Sequence, residues 1–199
     1  MFKDVFWRQW RHGLIFLIGV KPIPDPPSSN TVPWFGADHT LPAYRFVPGL
    51  HPHPTRSPQG HSFGQPSPAA HPPWTPEQWL VLQSYLRGVD LFNRWYFWEA
   101  HEAWEPLWRA QPADSEPARF IQGLIGVAAA LLKLHMREAT AAHTLWRAAL
   151  DRLNAFRGTV WMGLDVDRFL DDLERYLAPL ATGSVQLLSP ETPSLRLVR

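Results

Sequence analysis

The sequence predicts an all-α protein, an antiparallel helical bundle of about five helices with an extended, irregular N-terminal arm. From position 75 onward, apolar residues recur at the three-to-four-residue spacing of amphipathic helices. Short connections separate these segments, which favours antiparallel neighbours. Residues 22–76 hold 15 of the 21 prolines and five of the nine histidines, and this proline content excludes regular helix there.

Composition limits the class of protein. Hydrophobic residues make up 45% of the 199 positions and charged residues 19%, which is enough apolar material for a buried core. The absence of cysteine excludes disulfides, thiolate metal sites and a cysteine nucleophile. A net charge of +1 does not support an extended nucleic-acid surface, so no nucleic-acid partner is predicted.

The chain divides into four predicted regions. Residues 1–21 form a short apolar leader, whose longest apolar run, Gly13–Val20, is far shorter than the roughly 20 residues that cross a bilayer. No signal-cleavage pattern follows, so a cytoplasmic protein without a transmembrane segment is predicted. Residues 22–74 form the proline- and histidine-rich arm, residues 75–183 the bundle, and residues 184–199 an irregular tail.

The arm is predicted to lie over the bundle, because it contains large apolar side chains that a solvated spacer would not need. These are Tyr44, Phe46, Val47, Leu50 and Phe63.

The helix boundaries follow from capping and turn residues. Thr75 and Pro76 indicate a helix start, Ser115 or Asp114 can cap a third helix, and Asp165 a fifth. The predicted helices run from Thr75 to about Asn93, Tyr96–Ala110, Pro117–Arg137, Ala139–Phe156, and Asp165 to Gly183.

Two further features concern packing. Gly123, Gly126 or Val127, and Ala130 form a stripe of small residues on the third helix, which would let a neighbouring helix approach closely. No alternating strand is predicted.

The stretch FWEAHEAWEPLW (Phe97–Trp108) places a polar strip beside an aromatic wall. At about 100° per residue, Glu105 and Glu102 lie within about 100° of His101, at the edge of the apolar face. Glu99 points away on the same wheel and is predicted to be solvated. Pro106 cannot donate a hydrogen bond to the Glu102 carbonyl, so a kink or a free carbonyl is expected beside the strip.

One interpretation of the strip is a metal site. His101 and Glu105 would bind zinc, iron or manganese, because imidazole and carboxylate suit these ions, and Glu102 would be a general base or a further ligand. Three arm histidines could add ligands: His51, His53 and His61. HExxE is not the HExxH of zincins, and Trp98 stands where a di-iron bundle would need glutamate, so both of those classes are excluded.

Two alternatives stay open. The strip could be a metal-free pocket in which His101, Glu102 and Glu105 do acid–base chemistry, or it could be a structural network of mutually satisfied polar groups. The predicted pocket is completed by Asn93, Trp98, Trp104, Trp108, Arg119 and Gln122. The serine in GHSFG does not lie in a nucleophile elbow, so no serine triad is predicted.

The runs DLFNRWYFWEAHEAWEPLWR (Asp90–Arg109) and RFIQGLIGVAAALLKL (Arg119–Leu134) resemble a bacterial family of small helical proteins, domain of unknown function 309. The resemblance spans about residues 77–157 and implies a helical bundle without an established activity. The arm resembles an extension that some members carry. The family's glycine-asparagine pair before the fourth helix is replaced by REATAAH. The motif positions are Phe92, Asn93, His101, Glu102, Trp104, Glu105, Trp108, Gln122 and Gly123.

The functional hypothesis is a small-molecule or metal-binding bundle, with hydrolysis as the candidate activity; whether the protein is an enzyme stays open. The alternative is a protein–protein interaction or scaffold bundle, whose partner could be a second copy of the chain.

Overall fold

The computed structural model describes residues 26–27, 32–66, 69–182 and 188–198. The predicted leader, residues 1–21, lies outside them. Within the described residues there are five α-helices, as predicted: α1 Gln83–Asn93, α2 Phe97–Arg109, α3 Glu116–His135, α4 Ala139–Leu153 and α5 Val166–Leu177.

Helices α1 to α5 form a bundle in which each helix packs against the next. Ser115 caps α3 by accepting a hydrogen bond from Ala118 N, and Asp165 caps α5 by accepting one from Arg168 N. Both caps were predicted. Every helix contributes fully buried apolar side chains to one core, among them Val89, Trp104, Leu124, Leu153 and Leu173.

The first helix begins later than the sequence indicates. Thr75 precedes only a 3-10 turn, Pro76–Gln78, and α1 starts at Gln83. The prediction of one continuous helix from Thr75 was wrong. Between the turn and α1, Trp79 packs against Gly163, where a Cβ atom would lie 2.5 Å from the Trp79 ring. Capping signals act over a few residues, whereas Trp79 and Gly163 are far apart in the sequence.

A small hairpin precedes α5. Strands β1 (Val160–Trp161) and β2 (Leu164–Asp165) pair antiparallel. Met162 and Gly163 form the turn with φ of 48° and 77°. No alternating strand was predicted, and these two-residue strands are too short for an alternating pattern to be visible.

The arm is anchored first on α1. The buried carboxylate of Asp90 accepts hydrogen bonds from Phe35 N and Gly36 N, both at 2.8 Å. Arg94 donates to Val32 O at 2.7 Å, and its guanidinium lies 3.4 Å from the centre of the Trp34 ring. An aspartate and an arginine one helical turn apart therefore hold the start of the arm.

The arm then crosses α2. Phe46 and Val47 are buried, and Phe46 packs edge-on against Trp98 with ring centroids 5.0 Å apart. Tyr96 OH donates to Pro42 O. Further along, Trp74 Nε1 donates to Leu107 O at 3.0 Å. The irregular arm thus contributes its own apolar side chains to the core.

Helix α3 is long and apolar enough to cross a membrane, and in the part of the chain that the structure describes it is the single helix of that kind. However, 78% of its most apolar window is buried inside the protein. Its hydrophobicity is therefore accounted for by the core.

Candidate functional site

Three side chains of α2 form a compact polar group. One ligand atom from each of His101, Glu102 and Glu105 lies within 4.8 Å of the others. His101 Nδ1 is 3.4 Å from Glu102 Oε1. His101 and Glu105 are buried, whereas the Glu102 side chain is 36% exposed. The helical spacing that suggested this strip therefore brings the three groups within reach of one small ligand.

Glu105 is the buried carboxylate of this group. Burial raises the pKa of Glu105, while His101 and Arg109 act to lower it and Glu102 raises it further. Arg109, one turn later, donates a hydrogen bond to Glu105 Oε1. A buried carboxylate with a raised pKa gains from a nearby positive charge, whether that charge is a guanidinium or a metal ion.

A cleft of about 780 Å³ separates the arm from α2 and borders this group. Its α2 wall includes Trp98, Glu99, Glu102, Glu105 and Arg109. Its arm wall includes Pro54, His61, Ser62, Gln65 and His71. His101 is buried and is not part of the lining. The volume is in the range of small-molecule sites.

Glu99 is the largest departure from the predicted site. It was expected to be solvated, but it is 7% exposed and faces the arm. Its Oε1 accepts hydrogen bonds from Phe46 N at 2.9 Å and from His61 Nε2 at 3.1 Å. The expectation was wrong because the helical wheel considers α2 alone, and the arm covers the face that the wheel leaves to solvent.

His61 links Glu99 to a hydroxyl. Its Nδ1 lies 2.8 Å from Ser62 Oγ, and its Nε2 is the nitrogen bonded to Glu99. Tyr44 packs against the imidazole with ring centroids 4.7 Å apart. Serine, imidazole and carboxylate therefore form one continuous chain at the wall of the cleft.

The other two arm histidines lie on aromatic rings. His51 stacks on Tyr44 at 5.2 Å, and its Nδ1 accepts a hydrogen bond from Val47 N. His53 lies 5.5 Å from the ring centre of Trp98. Burial lowers the pKa of both histidines. None of the arm histidines belongs to the compact group on α2, whose three members all come from that helix.

The predicted pocket residues separate in the structure. Trp98 lines the cleft, and Trp108 is half-buried against the core. The other four lie away from the cleft. Asn93 exchanges hydrogen bonds with the backbone of Leu195, and Trp104 donates a hydrogen bond to Tyr85 O. Gln122 accepts a hydrogen bond from Arg152, and Arg119 is exposed on α3. These four are not among the cleft-lining residues. Helix α1 presents Asn93 to the C-terminal segment and α2 presents Trp104 to the core, while α3 presents Gln122 to α4 and Arg119 to solvent.

Glu99 and Ser62 line the cleft but had no role in the predicted site. Ser62 had a weak signal in GHSFG, where it follows a histidine in a segment rich in histidine. Only the placement of the arm gives that serine a carboxylate partner.

The comparisons with known proteins agree with the helical motif. The family model described as Domain of unknown function (DUF309) matches residues 85–145, which include most of α1, all of α2 and α3, and the start of α4. No curated protein and no solved structure matches the chain. The match contains His101, Glu102 and Glu105, and the arm lies outside it. The match therefore supports the DUF309 family resemblance over residues 85–145 of the chain.

Proposed function

We propose that the protein binds a divalent metal ion through His101, Glu102 and Glu105 and uses it on a small molecule in the adjoining cleft. The observation that carries the proposal is the 4.8 Å grouping of three potential ligand atoms, two of them on buried residues. A metal ion would supply the positive charge that two neighbouring glutamates need in a partly desolvated site.

The ligand types favour zinc, iron or manganese, because imidazole with carboxylates suits these ions better than calcium or magnesium. Three protein ligands would leave coordination positions for water or substrate, as in catalytic metal sites. Glu102 and Glu105 line the cleft, so a bound ion would be accessible from it. Hydrolysis of a small molecule is the activity that this arrangement supports best.

The test is metal content, measured by elemental mass spectrometry on untagged protein after dialysis. We expect about one equivalent of zinc, iron or manganese per wild-type chain, and less than a tenth of that in His101→Ala. Added metal at 100 times its Kd should stabilise the wild-type fold by about 2.7 kcal/mol. The thermal midpoint of His101→Ala should not respond.

The matched control is His143→Ala, which removes a half-buried histidine of α4 outside the compact group. It should retain the wild-type metal content. Absence of metal from the wild-type protein after supplementation with all three ions would contradict the proposal, and so would equal metal in the His101→Ala protein.

A second candidate is a protein–protein interaction or scaffold role. Four large apolar side chains near Gly163 are more than half exposed: Leu80, Val81, Val160 and Val198. Trp79 packs on Gly163 and Val198 N donates to Gly163 O, so these residues share one end of the bundle. If this surface carries the function, His101, Glu102 and Glu105 form a structural network, and the same measurement finds no metal in any variant.

The cytoplasmic location, the lack of a nucleic-acid partner and self-association stay predictions. A small-molecule ligand is the partner that follows from the first candidate, and a protein partner or second copy follows from the second.

A further inference from the structure

We propose that Ser62, His61 and Glu99 form a proton relay that makes Ser62 Oγ a nucleophile toward acyl groups in the cleft. Ser62 Oγ lies 2.8 Å from His61 Nδ1, and His61 Nε2 lies 3.1 Å from Glu99 Oε1. Ser62, His61 and Glu99 all line the cleft. This site is distinct from the metal group, none of whose members belongs to the relay.

The hydrogen bonds determine which nitrogen of His61 carries the proton. An ionised carboxylate only accepts hydrogen bonds, so the proton shared with Glu99 must be on Nε2. Nδ1 is then the lone-pair nitrogen, and it faces Ser62 Oγ. Phe46 N also donates to Glu99 Oε1 at 2.9 Å, which fixes the carboxylate that orients the ring. This is the tautomer that a general base needs.

Packing holds the relay in place. The His61 side chain is 9% exposed and the Glu99 side chain 7%. Tyr44 packs on the imidazole and also accepts a hydrogen bond from His61 N through its hydroxyl, at 3.3 Å. A base whose ring is held by packing keeps its lone pair directed at the nucleophile, and this fixed orientation favours proton transfer.

The reaction follows from these positions. Ser62 Oγ bonds to the carbonyl carbon of an ester while its proton passes to His61 Nδ1. The tetrahedral intermediate collapses, the bond from carbon to the alkoxy oxygen breaks, and that oxygen takes the proton from Nδ1 and leaves as the alcohol. Water then attacks the acyl-serine with His61 again as base, which releases the acid and restores the hydroxyl.

Charge in the cleft selects the substrate class. The lining carries three carboxylates, Glu99, Glu102 and Glu105, against one guanidinium, Arg109. As long as no metal ion is bound at Glu102 and Glu105, anionic acyl donors are therefore disfavoured, and the wall with Trp98 suits a neutral or cationic ester. The inference is a small neutral or cationic ester as substrate.

The test uses the full chain and a neutral fluorophosphonate, in which Ser62 Oγ would displace fluoride from phosphorus. We expect one adduct per chain, located on Ser62 by peptide mass spectrometry and absent from Ser62→Ala. Ser57→Ala, which changes another serine of the same arm, should label as the wild type does. Labelling of another residue, or no labelling of the folded wild-type protein between pH 6 and 9, would overturn the proposal.

A positioning role for Glu99 is tested with Glu99→Gln, which retains an oxygen for Phe46 N–H. We expect labelling about 100-fold slower with an unchanged thermal midpoint, since general-base catalysis contributes on this scale. An unchanged rate would remove Glu99 from the relay.

Because the chain has no cysteine, a second measurement is available. Ser62→Cys should react with iodoacetamide at least tenfold faster than Ser57→Cys, since His61 would stabilise the thiolate. Equal rates would show that His61 does not activate position 62. Both measurements are independent of metal content, so the two proposals fail separately.

Discussion

At the scale of single residues, Glu99 connects two parts of the chain that are 53 positions apart. Its Oε1 accepts hydrogen bonds from both Phe46 N and His61 Nε2, while its Oε2 is buried and has no hydrogen-bond partner among the residues that the structure describes. A buried carboxylate that accepts two hydrogen bonds from the arm therefore holds the middle of the arm against α2.

We therefore expect Glu99→Ala to destabilise the protein. The substitution leaves the buried Phe46 N–H without its acceptor, which costs about 1–3 kcal/mol of the free energy of unfolding. Chemical denaturation monitored by tryptophan fluorescence measures this loss. Glu102→Ala is the comparison, because that side chain on the same helix is 36% exposed. If Glu102→Ala lowers the free energy of unfolding as much as Glu99→Ala does, the hydrogen bonds of Glu99 to the arm do not account for the loss.

At the scale of elements, α3 and α4 approach closely through small residues. A Cβ atom on Gly123 would lie 2.6 Å from Leu153, and one on Gly126 would lie 2.9 Å from Ala149 Cβ. The glycines of α3 therefore face α4, as the small-residue stripe in the sequence predicts. The close approach of the two helices depends on glycine at these positions, since the interface has no space for a larger side chain.

Gly126→Leu tests this interface. Glycine to leucine in a helix would by itself stabilise the helix by up to about 1 kcal/mol. We expect instead that the free energy of unfolding falls by about 3 kcal/mol or more, because the leucine side chain forces α4 away from α3. Ala148→Leu is the control, since Ala148 lies on the exposed side of α4 and should change stability by less than about 0.5 kcal/mol. A Gly126→Leu protein with the stability of the wild type would show that α3 and α4 are separated more widely.

At the scale of the whole molecule, the bundle and the arm together enclose a histidine at the end of α3. Burial, assisted by Arg45 and His51 on the arm, lowers the pKa of His135 to about 4. Both ring nitrogens are buried and have no hydrogen-bond partner in the described part of the chain. The folded protein therefore favours the neutral ring.

The consequence is a loss of stability in acid. In the unfolded chain His135 has its ordinary pKa of 6.5, so its lowered value in the fold contributes stability that is complete above pH 6.5 and is lost as the pH falls toward 4. The contribution is on the order of 3 kcal/mol. Urea midpoints between pH 4 and 7 measure it. His135→Leu should flatten this dependence, and a slope unchanged in that variant would refute the assignment.

The candidate sites differ in how far the sequence predicts them. His101, Glu102 and Glu105 lie on one helix, and 3.6-residue periodicity is enough to bring them together. The relay of Ser62, His61 and Glu99 joins an irregular segment to a helix, and periodicity gives no information about that contact. Asn93 and Gln122 were expected near the site from their polarity, which does not indicate the direction in which a helix presents them.

The sequence by itself determines the five helices, most of their ends, the close packing at the α3 glycines and the polar group on α2. These features depend on local propensity, caps and spacing, which act over a few residues. The tertiary structure alone decides that the first helix starts at Gln83, that Glu99 is buried and that the arm forms one wall of a cleft. Each of these results from a contact between distant segments, whose free energy exceeds the local preference of the residues involved.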